Sequence, residues 1–170
     1  MSTASSGCVS VFCASPEAGE TPVVQYNAEE RRVWVKRGDH MVFSSTFDAV
    51  LGSTTPPAEV YATAAEPSVK RAQAGGVGCV ICCGALSSGK AALMNALPSW
   101  ALSENGGEDM DGLASLAIAP RAMCEMQQHA AAQGQELSLS AVQIYFETIT
   151  DLLQPDLPPA LGPVRSRPLS

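Results

Sequence analysis

Short apolar alternations in the first fifty residues predict β-structure. Residues 9–13 place Val and Cys on one face and Ser and Phe on the other, which is the period of two expected of a strand. Residues 31–36 alternate in the same way. Gly and Asp follow at residues 38–39, and they predict a hairpin that returns through residues 41–47.

Two longer segments predict helices. Residues 59–74 predict a helix that Pro67 interrupts, with Thr55 as its N-cap and Pro56 at its first helical position. Residues 113–132 predict the other helix. Its apolar positions recur at intervals of three or four residues: Ile118, Ala122, Met123, Met126 and Ala130.

An apolar run lies between these two helices. Residues 78–83 have the length and composition of a strand buried on both faces of a parallel sheet. A glycine-containing loop follows directly, and residues 91–97 then predict a helix that ends before Pro98. Beyond the second long helix, residues 137–146 predict a strand and residues 147–153 predict a short helix.

The predicted order of strand, helix, buried strand, glycine loop, helix and strand is typical of an α/β fold with a crossover connection. Residues 1–155 carry all of the elements and form the predicted domain. Residues 156–170 are rich in proline and show no periodicity, so they predict a tail or linker.

The charge balance excludes some classes of partner. The chain has 170 residues with 10 basic and 17 acidic side chains, a formal net charge of −7. This charge argues against nucleic-acid binding through phosphates and against a polybasic membrane anchor. No apolar run approaches the roughly 20 residues that span a bilayer, and residues 1–7 lack the features of a signal peptide. We expect no nucleic-acid or membrane partner.

The six cysteines raise the question of a metal or redox site. Cys79 and Cys82 have the spacing of half a zinc site, but no second pair follows, and His40 and His129 have no ligand spacing. Cysteine is among the most often buried residues, and three of the six lie in the apolar run. The sequence therefore predicts core thiols, no metal site and no disulfide framework.

The segment from Gly84 to Lys90 has the sequence pattern of a phosphate-binding loop. It has the form GxxxxGK and lies between the predicted buried strand and a helix. Glycine lets successive backbone N–H groups point inward and bind an anion, and the lysine can reach the β- and γ-phosphates. The predicted nucleotide-binding residues are Gly84, Ala85, Leu86, Ser87, Ser88, Gly89, Lys90 and Ala91.

Position 91 departs from the pattern of a working phosphate loop. A serine or threonine normally follows the lysine and ligates Mg²⁺, whereas this chain has Ala91. Phosphate binding is expected to survive, because backbone N–H groups do not depend on side chains. Magnesium positioning is expected to be lost, and no catalytic residue or metal ligand is predicted.

Six segments together resemble the N-terminal half of a kinesin motor domain. The loop and the start of its helix, GALSSGKAALM at residues 84–94, are similar to the family's GQTSSGKTHTM. The other segments and the family motifs they resemble are residues 9–13 (the opening strand), 47–50 (FDxVF), 59–61 (QEVY), 117–123 (GIIPRAI) and 140–153 (VSYLEIYNEVIYDLL).

This resemblance implies a P-loop NTPase-like three-layer sandwich around a central, mostly parallel sheet, about half of which is present. It implies ATP with Mg²⁺ as ligand, microtubules as partner, and a cytoplasmic location on the cytoskeleton. The departures cluster at the nucleotide: the family's adenine-stacking aromatic is replaced by Cys83, and its threonine and histidine after the lysine by Ala91 and Ala92. The arginine that flanks adenine and both later switch motifs are missing, so hydrolysis by this chain alone is not expected.

Three functions remain open at this point. The first is a motor-domain fragment that binds ATP through a degenerate loop and belongs to microtubule-based movement. The second is a non-catalytic relative that serves as an assembly or regulatory surface. The third is a different P-loop protein such as a small kinase or GTPase, although the chain lacks a guanine-reading NKxD segment and an arginine-rich lid. Nucleotide binding separates the first from the second.

Overall fold

The structure is a computed structural model, and it describes five stretches of the chain: residues 11–13, 24–38, 40–95, 117–153 and 167–168. The contacts divide the chain into two compact units, residues 1–122 and 123–170. Parts of several predictions lie outside the described residues, namely residues 9–10, 96–97 and 113–116, the boundary at residue 155 and most of the tail.

A three-stranded antiparallel sheet belongs to the first unit. It consists of β2 (Val24–Asn27), β3 (Arg32–Arg37) and β4 (His40–Thr46), in that order. The predicted β3–β4 hairpin is confirmed, and Gly38 at its turn has a φ of +61°, which glycine adopts without a steric penalty. Val33 is buried on one face of the sheet. Strand β2 was not predicted.

A short parallel pair lies in the same unit. Strand β1 (Val11–Cys13) confirms the described part of the first predicted strand, and it pairs with β5 (Ala49–Leu51), which was not predicted. The ring of Phe12 lies 6.2 Å from that of Tyr26 and 5.7 Å from that of Phe47, measured between centroids. These aromatic contacts join the parallel pair to the antiparallel sheet.

Two consecutive helices, α1 (Pro57–Ala64) and α2 (Glu66–Gln73), confirm the predicted interruption near Pro67. The predicted start is wrong by one residue, because Pro56 is the N-cap and Pro57 begins the helix. A residue that precedes proline is pushed toward an extended conformation. Pro56 accordingly has a ψ of 144°, which keeps it outside the helix.

Two further helices are α3 (Lys90–Asn95) and α4 (Ile118–Ala132), which confirm the described parts of the other predicted helices. Helix α4 ends in two hydrogen bonds. The N–H of Gln135 donates to the carbonyl of Ala130 at 2.8 Å, and the N–H of Gly134 donates to that of Ala131 at 3.1 Å. Gly134 has a φ of +63°, so this is the left-handed glycine termination of a helix.

The second unit contains two small sheets after α4. Strands β7 (Val142–Tyr145) and β8 (Thr148–Asp151) form an antiparallel hairpin. Strand β6 (Ser138–Leu139) pairs with β9 (Arg167–Pro168). The predicted strand over residues 137–146 is thus confirmed in two pieces.

The short helix predicted for residues 147–153 is wrong. Three consecutive β-branched residues begin β8, and such residues lose side-chain freedom in a helix but fit a pleated strand. Residues 167–168, inside the segment predicted as a tail or linker, pair with β6 in an antiparallel strand.

The strand predicted for residues 78–83 is wrong as well. These residues have neither helix nor strand, and the side chain of Ile81 is 78% exposed. A buried parallel strand needs neighbouring strands and a covered face on each side. Among the described residues, parallel pairing is confined to the three-residue strands β1 and β5.

Tyr61 is the largest fully buried side chain of the described residues, with no exposed surface. The guanidinium carbon of Arg121 lies 4.0 Å from the centroid of its ring. A cation over an aromatic face contributes more when it is removed from water, up to about 2 kcal/mol. In the first unit, the other residues buried in β5, in the helices and between α1 and α2 are Val50, Leu51, Val60, Ala65, Val69 and Ile118.

The fold is therefore α/β, as predicted, with four small sheets and four helices in the residues that the structure describes. None of the helices in these stretches is long and apolar enough to cross a membrane.

Replacing Tyr61 with alanine is expected to lower the free energy of unfolding by about 3 kcal/mol or more, because it empties a buried ring site beneath Arg121. Urea titration followed by circular dichroism measures this change. Tyr145→Ala is the matched control, since Tyr145 is 67% exposed and its loss is expected to cost about 0.5 kcal/mol or less. Equal losses in the two variants would contradict the assignment of Tyr61 as the core residue.

Candidate phosphate-binding site

The segment that leads into the glycine loop is fastened to helix α2 at its beginning. The hydroxyl of Ser68 donates a hydrogen bond to the carbonyl of Cys79 at 3.2 Å. The backbone of Gly78 approaches Ser68 so closely that an added Cβ would overlap the carbonyl oxygen of Ser68 and lie 2.8 Å from its carbonyl carbon. Glycine is therefore required at position 78 for steric reasons.

The loop itself turns twice through left-handed backbone conformations. Ser87 has a φ of +59° and Gly89 a φ of +85°. Between them the chain is held by a hydrogen bond from the N–H of Ser88 to the carbonyl of Ala85 at 3.3 Å. Alternation of left- and right-handed residues brings successive N–H groups to the same side, which is the backbone geometry of an anion-binding nest.

Lys90 closes the loop with its side chain. Its ammonium donates to the carbonyl of Gly84 at 2.9 Å and to that of Ala85 at 2.5 Å. The lysine is half-buried, and it begins helix α3, whose first turn includes a bond from the N–H of Leu93 to the carbonyl of Gly89 at 2.9 Å. The positive charge of the site is thus held beside the start of the loop.

Of the predicted site residues, 84–89 form the loop, and Lys90 and Ala91 begin helix α3. Most of them are exposed, and the apolar side chain of Leu86 is 95% exposed. Ala91 and Ala92 follow Lys90 in α3 with exposed methyl groups. Neither offers an oxygen ligand to a cation.

The prediction of core thiols is wrong for four of the six cysteines. Cys79 and Cys83 are exposed, and Cys82 and Cys124 are half-buried; all four are free thiols. For the three in the apolar run the cause is the missing strand, because the run has no neighbouring strand among the described residues. Among the described residues, no group of three or more His, Cys, Asp or Glu side chains is arranged to hold a metal ion.

Sequence reasoning missed the part that Ser68 has in positioning the loop. A serine within a helix carries no signal that distinguishes a tether from a solvated side chain. The bond to Cys79 arises because α2 ends and the chain turns back along it through Gly75 and Gly76, where the N–H of Gly76 donates to the carbonyl of Arg71 at 3.0 Å.

Comparison with known proteins points to one family. The sequence model described as the kinesin motor domain matches residues 10–168 of this chain. A similar protein is the kinesin-like protein KIN-7M, chloroplastic, of Arabidopsis thaliana, which is 35% identical over 140 residues. That alignment covers 77% of this chain and 12% of the relative, so the chain spans a small part of the relative's length.

Replacing Gly78 with alanine is expected to cost about 1–3 kcal/mol of unfolding free energy, because the new methyl group overlaps backbone that cannot rotate away. Gly84→Ala is the matched control. A Cβ at residue 84 would lie 2.7 Å from the Oγ of Ser88, which can rotate to another position, so a loss below about 1 kcal/mol is expected. Thermal denaturation of both variants makes the comparison, and a larger loss in Gly84→Ala would show that the Ser68 approach is not the tighter constraint.

Proposed function

The chain belongs to the kinesin motor-domain family, and from this premise we propose that it binds the triphosphate of ATP through the loop from Gly84 to Lys90. The observation that carries the proposal is the closed loop, in which the Lys90 ammonium lies against the carbonyls of Gly84 and Ala85. Its left-handed residues at positions 87 and 89 add the backbone geometry that suits an anion.

Phosphate would compete with two neutral carbonyls for the lysine. The ammonium already donates charge-assisted hydrogen bonds to these carbonyls, and a phosphate oxygen adds the Coulomb attraction of a full negative charge. Exchange of the carbonyls for phosphate oxygens is therefore favourable if the loop keeps its shape. Five of the six residues from Gly84 to Gly89 are exposed, so this backbone lies at the surface.

The residues present do not fit Mg²⁺ in the way the family's motif does. The position after the lysine is Ala91, and Ala92 follows it, so no hydroxyl is available there to ligate the cation. We therefore propose nucleotide binding with little dependence on Mg²⁺ and derive no hydrolytic step through the metal.

We also propose a role in microtubule-based movement on the cytoskeleton, because the chain belongs to the kinesin motor-domain family. The net charge of −7 disfavours direct contact between this chain and another acidic protein surface, such as that of tubulin. A second candidate is a non-catalytic surface for assembly. It is favoured by the alanines after Lys90 and by the exposed apolar side chains of the β7–β8 hairpin, among them Ile144 and Phe146.

Binding of a fluorescent ATP analogue to the purified chain is expected to require Lys90. Lys90→Ala should weaken it at least about tenfold, which corresponds to about 1.4 kcal/mol, because the cation of the site is removed. Lys70→Ala is the matched control. It removes the same charge from the exposed end of α2, where Lys70 pairs with Glu66 at 2.7 Å, and it should leave binding unchanged.

Two further arms complete this titration. Addition of Mg²⁺ should change the affinity of the native chain little, whereas Ala91→Thr should introduce a dependence on Mg²⁺ by restoring a hydroxyl. No binding by the folded native chain would reject the proposal in favour of the assembly surface. Equal binding by Lys90→Ala would place the nucleotide elsewhere.

The chain alone is expected to show no microtubule-stimulated ATPase activity. It offers no hydroxyl after Lys90 for the metal, and its charge opposes an acidic track. Release of inorganic phosphate from ATP, with and without polymerised tubulin, measures this directly. Phosphate release above background that disappears in Lys90→Ala would overturn the expectation.

A further inference from the structure

Three thiols lie directly before the glycine loop. Cys79, Cys82 and Cys83 fall within five consecutive positions, and each is free. The segment has neither helix nor strand, and Cys79 and Cys83 are exposed to solvent. An exposed thiol on irregular backbone can attack the sulfur of an external disulfide, whereas a thiol buried in a sheet is inert.

Cys83 is the thiol nearest the loop. It is joined by a peptide bond to Gly84, and the Cα atoms of successive residues are about 3.8 Å apart. The carbonyl of Gly84 in turn accepts the hydrogen bond from Lys90 at 2.9 Å. A group attached to the sulfur of Cys83 is therefore anchored one residue before the carbonyl that binds the cation of the proposed phosphate site.

Cys79 has a different environment although it is equally exposed. Its carbonyl accepts the hydrogen bond from Ser68 of α2, and four residues separate it from the first glycine of the loop. A group attached to Cys79 is therefore anchored beside α2. The two exposed thiols thus form a natural pair of test and control.

We propose that Cys83 is a modification site at which a mixed disulfide with a small thiol blocks phosphate binding to the loop. This inference rests on the proposed function. The thiolate of Cys83 attacks one sulfur of a low-molecular-weight disulfide such as oxidised glutathione. The new S–S bond forms as the old one breaks, and one glutathione leaves as a thiolate with the electron pair of the broken bond. Oxidised glutathione supplies the oxidising equivalent.

Charge and space both make the adduct inhibitory. The glutathionyl group carries two carboxylates and one ammonium, so it adds net negative charge beside a site for phosphates, and like charges repel. The adduct also takes up space. Gly84 and Ala85, which follow Cys83, are exposed, so a group of tripeptide size on Cys83 competes with a ligand for the space beside the loop.

Treatment of the full chain with oxidised glutathione tests this proposal. Peptide mass spectrometry is expected to find glutathione on Cys83, and the modified chain should bind the fluorescent ATP analogue at least tenfold more weakly. A dithiol reductant should restore binding. Cys83→Ser should keep its affinity through the treatment, while Cys79→Ser should lose it as the native chain does.

The outcomes separate this inference from the function on which it rests. If the reduced chain binds no nucleotide, both the proposed function and this inference are wrong. If the reduced chain binds and the Cys83 adduct binds equally well, only the inference fails. An absence of adduct at Cys83 would also overturn the inference. So would a mass loss of two hydrogens without added glutathione, because it would show that an internal disulfide had formed.

Discussion

The burial of Tyr61 beneath the guanidinium of Arg121 is the contact on which the first unit depends. It joins helix α1 to the start of α4, sixty residues later in the sequence, and places a cation 4.0 Å from a ring with no exposed surface. The other described elements of that unit are short, with a three-residue parallel pair and a sheet of three strands. Such elements bury little apolar area by themselves, so this helix contact has a large share in holding the unit together.

The glycine loop depends on a second, smaller set of contacts. Ser68 binds the carbonyl of Cys79, and the absence of a side chain at Gly78 lets the segment lie against α2. At the other end, the Lys90 ammonium bridges the carbonyls of Gly84 and Ala85. The described contacts that hold the loop are thus local hydrogen bonds and the close approach at Gly78, and the segment before the loop is not a strand.

Local patterns predicted the parts of the fold that local chemistry decides. Residues close together in the chain decide the β3–β4 hairpin, the break near Pro67 and the position of the glycine loop. The errors at residues 78–83 and 49–51 arose where distant partners decide. Residues 78–83 have the composition of a buried strand but no neighbouring strand among the described residues, and the parallel partner of β1 at β5 is too short to show a period. The exposure of Cys83 follows from the same missing neighbours and could not be inferred from composition.

The central claim is that the loop binds phosphate through its backbone and Lys90. Hydrogen–deuterium exchange of the chain, with and without ATP and in the absence of Mg²⁺, tests it most directly, because exchange reports on the N–H groups themselves. The account predicts slower exchange in the peptide that contains residues 84–91, and no change in the β7–β8 hairpin. Unchanged exchange in the loop at saturating ATP, or protection confined to other segments, would contradict it.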